Sequence, residues 1–549
     1  MRLWFIAPVM VALLLLAGPA FAAEPETAKD PGVSVDLSGY YRVRYDNTFN
    51  TGWRFNEDYR DGEDNEDSDW WSYFDQRVLL LPTITVNDNI VLKTQIDALR
   101  NVTFGNNTQA VIPQVHVTRN PANTEKIETV EFDAARLYRG NVFSSSASSN
   151  AGYYAYNRNS GDEVPSIEMS RFWAEILLPN VGFMRFGRMP SQFGMGVFSN
   201  DGLPTKTEFG WQGLDKNYGD TYDRILFGTK IGPYIPVLLY DRVLEGDYKT
   251  GDNDVHEFGF VQYLRDIKLG GDPANVLNGG LYTVHRRQMS TNARVFVYDL
   301  WLKLKLGGFS IENEAIAVQG SFTQIDDETL DEIEEAGLPI GEGGGKIEVS
   351  AYVDAARMKF ETRSWGTGAE FGFSSPADPN QETEFDPTAA AAIAVAAAQK
   401  DADEDAPENS IDFINAVVEN QAAFGKKVYT FPMDPDYDVD LIIWEVLMGG
   451  AVKNGIYAKV GGYIQPFQEL RIEANVIQSW INESWKGENG EDAAHDLGTE
   501  LDLDISSTAW DHFTTGVQFG YAWLGGYFQD VYGDKENIFT MQMRAGVTF

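Results

Sequence analysis

From Phe539 to Phe549 the chain alternates without a break. Phe539, Met541, Met543, Ala545, Val547 and Phe549 take one side; Thr540, Gln542, Arg544, Gly546 and Thr548 take the other. Successive side chains of a strand point to opposite faces, so this segment predicts a strand with one apolar and one wetted face. The pattern recurs. Val33, Val35, Leu37, Gly39, Tyr41, Val43 and Tyr45 oppose Ser34, Asp36, Ser38, Tyr40, Arg42 and Arg44. Phe296, Tyr298, Leu300, Leu302, Leu304 and Leu306 oppose Val297, Asp299, Trp301, Lys303 and Lys305. Thr499, Leu501, Leu503 and Ile505 oppose Glu500, Asp502 and Asp504. A soluble sandwich shows a few such strands. Charge at every second position through so many segments fits an all-β, transmembrane antiparallel barrel with lipid outside and water inside.

Composition agrees. Mean hydropathy is −0.30, so a membrane-spanning chain of this kind must hide its apolar residues at alternate positions. The 549 residues include no cysteine, so stability has to come from something other than disulfides, and closed strand pairing supplies it. Aromatic residues make up 13% of the chain, enough for girdles at two membrane interfaces. A net charge of −39 argues against a nucleic-acid partner. Much of the surplus acid lies in segments that read as loops, such as Glu57 to Asp69. These read as solvated loops, although they could bind a divalent cation or the ions that bridge lipopolysaccharide. No segment has the spacing of a helix–loop–helix calcium site, and no cofactor is expected.

Arg2, the apolar run Leu3 to Leu16 and Ala20-Phe21-Ala22 predict a signal peptide over residues 1–22, leaving 23–549 as the barrel. No globular plug is expected ahead of the first strand, and no peptidoglycan-binding domain after the last. The closing strand resembles the last strand of Gram-negative outer-membrane proteins, whose final aromatic residue helps to signal assembly. That resemblance implies the barrel-assembly machinery as a partner through Phe549, with outer-membrane lipid and lipopolysaccharide around the wall.

The connections divide into two sets. Long ones are expected near 47–69, 104–165, 197–220, 247–253, 288–293, 324–345, 375–452, 482–496 and 525–536. Short ones are expected near 87–89, 179–180, 232–234, 268–276, 307–309, 361–364, 466–468 and 508–511. Turn residues mark many of the latter, among them Asn87-Asp88-Asn89, Gly232-Pro233, Gly307-Gly308 and Pro466. Nine long and eight short links imply about 18 strands, within a range of 16–20. Short helices are predicted over 386–400, opened by Asp386-Pro387, and over 410–424, ended by Gly425. The large insertions at 104–165 and 375–452 could constrict or plug the interior, or cap it outside.

Phe183 to Gly202 contains Gly187-Arg188-x-Pro190, Gly194-x-Gly196 and Asn200-Asp201-Gly202. This resembles a strand and loop of porin-like barrels, including the alginate-export family and uncharacterised Gram-negative families. The resemblance covers a small part of the chain. It implies a barrel that passes solutes, and carries over no catalytic residue.

If the apolar face of each strand meets lipid, the inner wall carries Arg42, Arg44, Arg77, Lys93, Arg171, Arg185, Arg224, Lys230, Lys303 and Lys305 early in the chain. Later it carries Glu312, Glu314, Glu348, Asp354, Glu500, Asp502 and Asp504. Asp75, Asp97 and Glu175 interrupt the basic set; Arg471 and Arg544 interrupt the acidic one. Two outcomes are open: facing walls of opposite sign, or charges that pair and merely keep the interior wet. The five histidines, His116, His256, His285, His495 and His512, have no metal-ligand spacing, and no nucleophile-elbow pattern occurs. The expected activity is therefore not enzymatic. It is a porin-like passive channel for small hydrophilic solutes, anionic sugars among the options. The alternative is a non-transporting structural or adhesion barrel with a plugged lumen.

Overall fold

The computed structural model describes residues 32–50, 70–103, 115–119, 127–132, 167–207, 210–212, 216, 219–244, 254–289, 292–323, 346–376, 427–428, 430–484, 492–532 and 536–549. The signal segment and the two helices predicted over 386–400 and 410–424 lie outside them.

Eighteen strands build the wall. They are β1 Ser34–Phe49, β2 Trp70–Asn87, β3 Ile90–Thr103, β4 Ile167–Leu178, β5 Gly182–Pro190, β6 Thr221–Gly228, β7 Tyr234–Leu244, β8 Val255–Lys268 and β9 Asn275–Gln288. The second half comprises β10 Ala293–Leu306, β11 Phe309–Thr323, β12 Lys346–Glu361, β13 Trp365–Ser374, β14 Gly455–Phe467, β15 Leu470–Ile481, β16 Asp496–Trp510, β17 Phe513–Leu524 and β18 Ile538–Thr548. Each wall strand pairs antiparallel with the next. The wall closes where β1 meets β18, from Tyr40 opposite Thr548 to Phe49 opposite Phe539. The Gly39 N–H donates to the Phe549 carbonyl at 2.9 Å and the Phe549 N–H to the Gly39 carbonyl at 3.0 Å. Closure leaves no wall edge unpaired, the condition a sheet must meet in hydrocarbon.

The strand count and the alternation of short and long links match the sequence expectation. Several boundaries move by a few residues. The third long connection leaves the wall at residue 191, and Pro466 sits inside β14, next to an irregularity between Ile464 and Phe467. Two small hairpins, Val115–Arg119 with Ile127–Phe132 and Thr205–Thr207 with Gly210–Gln212, stand outside the barrel sheet.

The outer face exposes large apolar side chains, among them Leu300, Leu302, Phe371 and Val460. Phe360 packs on Trp365 at the short-turn end, as does Trp510 on Phe513. The buried core lies inside the barrel. Residues 191–203 and 430–454 fold inward from the long-link end. Phe193, Val197, Phe198, Phe431, Met433, Ile442, Ile443 and Trp444 are buried with Trp301, Val349, Ala351, Val353, Tyr457 and Ile477 of the wall. A short helix, Gly526–Tyr532, buries Tyr527 and Phe528 at the same end.

Candidate functional site

Strand pairing places the inward charges in rows. On β6 to β9, Arg224 stands opposite Asp241, Asp241 opposite Glu257 and Glu257 opposite Arg286. The ion pairs Arg224–Asp241 (2.6 Å) and Arg286–Glu257 (2.5 Å) fix the ends of this row. The Tyr282 hydroxyl donates to Glu257 at 3.0 Å and lies 3.2 Å from Arg224 Nη2. A second row crosses five strands: Lys303, Glu312, Arg357, Glu370 and Lys459, each in register with the next. Glu312 bonds Lys303 at 3.1 Å and Arg357 at 3.3 Å, and Arg357 lies 3.7 Å from Glu370.

Most of the remaining inward basic residues are ion-paired in the same way, and Arg171 is held by neutral acceptors. Arg42 lies 3.5 Å from Asp75, Arg44 bonds Asp75 at 2.8 Å and Asp46 at 3.1 Å, and Arg77 bonds Asp97 at 2.6 Å. Lys93 and Arg185 flank Glu175 at 3.2 and 3.1 Å. Arg171 donates to Gln95, Thr221 and the Asp220 carbonyl. On the late strands Arg544 bonds Asp504 at 2.5 Å and Arg471 bonds Glu473 at 2.8 Å. Of the residues that interrupted each charge set in the sequence, Asp75, Asp97, Glu175 and Arg544 are counter-ions of that set, while Arg471 pairs with Glu473 outside it. Two walls of opposite sign do not form, because a buried ion needs its partner within reach on an adjacent strand.

Glu314 and Glu500 anchor the inserted segments. The Glu314 carboxylate accepts the backbone N–H groups of Val197 and Phe198, both at 3.1 Å, and that of Met195. Gly194 and Gly196, both with positive φ, shape this tight loop, and a Cβ at Gly194 would strike the Glu314 carboxylate. Glu500 accepts the N–H groups of Leu441 and Ile443, each at 2.9 Å. Within the second segment Asp440 caps Trp444, accepting its N–H at 3.0 Å. Burial pushes the Asp440, Glu445 and Asp434 carboxyls well above the usual carboxylate range. Asp201, in the first segment, is raised for the same reason.

Three candidates from the sequence are not on the inner wall. Lys230 sits exposed in the short link after β6. Glu348 and Asp354 project outward from β12, because its inward positions are Ile347, Val349, Ala351, Val353 and Ala355. The assumption that the apolar face meets lipid inverts there: this stretch of inner wall is apolar because the inserted segments pack on it. Asp502 and Asp504 point inward beside Glu500, and Lys305 points inward near a turn. The same inversion hid Arg357 and Lys359, which continue the inward face that those apolar residues begin. Arg286, Glu257, Asp241 and Asp299 were legible from the period-two pattern of their strands. The motif at 183–202 was visible, but its role in building an inward loop was not.

Among the histidines with described surroundings, His256 meets the Tyr240 hydroxyl at 2.8 Å, His495 meets the Ile481 carbonyl at 2.9 Å and His285 stacks on Phe296. Among the described residues, no group of three His, Cys, Asp or Glu side chains could hold a metal ion.

No family model matches the chain, and no curated protein is similar to it. Similar solved structures include three outer-membrane proteins of Pseudomonas aeruginosa. OccK8 (OprE) shares 10% identity over 94% of this chain and 98% of its own, with a TM-score of 0.43. OpdK with vanillate shares 7% over 94% and 98%, with a TM-score of 0.46. OccK2 (OpdF) shares 7% over 94% and 99%, also with a TM-score of 0.46.

Proposed function

We propose that this chain is an outer-membrane channel through which small hydrophilic solutes diffuse passively. The supporting observation is that several inward-pointing cations remain wet. Lys93 is 37% exposed, Arg185 45% and Lys303 40%, although all three face the barrel interior. Ionised groups keep such exposure inside a closed wall only where water fills the lumen. The apolar exterior fits lipid, and the inserted segments supply the constriction. Near the short-turn end Arg265 lies over Tyr263 and Trp301, and with Lys305 it adds positive charge at that mouth. Elsewhere most inward charges are paired with a neighbour of opposite sign. The expected sign preference is therefore weak, with anionic solutes favoured only at that end. Phe549 closes the seam next to Gly39, where assembly would be completed. Swelling of liposomes loaded with the protein, in graded sugars, tests this reading: uptake should fall steeply with solute size.

One observation favours the plugged alternative. Arg42 and Arg77 are 0% and 1% exposed, and Trp444 is 2% exposed, so the long-link half of the lumen is densely filled. Swelling that appears only after removal of residues 430–452 would identify a plug.

A further inference from the structure

The outer face of β10 to β13 carries an anomaly. From the long-link rim downward, strand pairing sets out rows of outward residues. Arg294–Ser321–Glu348 comes first, then Phe296–Gln319–Ser350 and Tyr298–Ala317–Tyr352. Below these lie Leu300–Ala315–Asp354, Leu302–Asn313–Ala356, Leu304–Ile311–Met358 and Leu306–Phe309–Phe360. Asp354 thus sits three rows below the charged rim and three above the aromatic residue at the other end, among leucines. Its strand neighbours across β13 are aromatic, since Asp354 pairs with Phe373 and Ala356 with Phe371.

The polar pair in this patch is short of donors. Asn313 Nδ2 spends both its N–H groups on Asp354 Oδ1 (2.6 Å) and the Ala355 carbonyl (3.0 Å). Its amide oxygen and the second Asp354 oxygen remain as acceptors facing a zone without water. A carboxylate on the lipid face is costly, and a partner that donates to it removes the cost. Donors of that kind stand on the same face: the Tyr298 hydroxyl two strands away on β10 and the Tyr352 hydroxyl on β12 itself, with side chains 45% and 46% exposed. Between them lie Ala315 and Ala317, small enough for two walls to approach closely.

We infer that this patch is the interface of a symmetric homodimer, its two-fold axis parallel to the barrel axis and passing through Ala315 and Ala317. Such an axis sets β10 of each copy against β12 of the other, and so Tyr298 against the partner's acceptor pair. The patch is complementary to itself, as an isologous contact requires. The inference rests on the reading that the outer wall faces lipid.

The chain has no cysteine, so a single introduced one reports its own neighbours. Ala317→Cys, oxidised in native outer membranes, should give a dimer band on a denaturing gel. Val460→Cys, exposed on β14 of the opposite wall, should give none. Adding Asp354→Leu to Ala317→Cys should reduce the cross-link at least several-fold, while heat-modifiable migration of the monomer confirms a folded barrel. Cross-linking that is absent at Ala317, equal at both sites, or unchanged by Asp354→Leu overturns the interface. Failure of the protein to fractionate with outer membranes would instead overturn the membrane reading beneath it.

Discussion

Glu500 on the barrel wall holds Ile443 of the inserted segment: its carboxylate accepts the Ile443 N–H at 2.9 Å and the Leu441 N–H at the same distance. Replacing it with alanine orphans one buried and one half-buried donor, at about 1–3 kcal/mol for a buried group left unsatisfied. Glu500→Ala should therefore loosen residues 430–454 without opening the wall. The expected result is a larger, noisier single-channel conductance and an unchanged shift on heat-modified gels. Glu500→Gln keeps an acceptor and should fall between the two.

Glu314 does the same for the first segment through Met195, Val197 and Phe198. Glu314→Ala should raise conductance independently of Glu500→Ala, because the two carboxylates hold different segments. Additive changes in the double variant, read as log conductance, check this; a double variant no different from either single one would show a single coupled gate.

The pH dependence has a fixed sign. Burial raises the Asp434, Asp440 and Glu445 carboxyls above their values in the undocked segment. A raised carboxyl stabilises the docked state fully below its ordinary value, and that stability is lost as pH rises through the raised value. Docking should weaken, and conductance grow, from acidic toward neutral and alkaline pH. Conductance recorded across pH 4–9 measures this, and Asp440→Asn should flatten the profile.

Removing one partner from the β6–β9 row should be severe. Arg224→Ala leaves Asp241 and Glu257 side by side with only Arg286, beyond Glu257, left as the cation of the row. Loss of one member of a buried pair costs about 3–5 kcal/mol. The midpoint of urea unfolding in detergent should drop accordingly, and much less for Arg224→Lys.

Much of the architecture was legible because period two is unforgiving: a strand with lipid on one side and water on the other shows which face is which. Eighteen strands, their short links and the closing β18 followed from it. The interior was less legible, for a physical reason. Val349, Ala351 and Val353 face inward because the segments around Phe198 and Phe431 cover them, and nothing local to β12 records that covering. Asp354 and Glu348 were placed on the wrong face for the same reason. The pairing of Arg77 with Asp97, or Arg544 with Asp504, depends on strand register, which the alternation of a single strand does not carry.

The most direct measurement is single-channel conductance of the refolded protein in planar bilayers under a salt gradient. Steady open conductance with a reversal potential near zero, enlarged by deletion of residues 430–452, is the expected result for a water-filled lumen lined by balanced ion pairs. Absence of any conductance, both before and after that deletion, would contradict it.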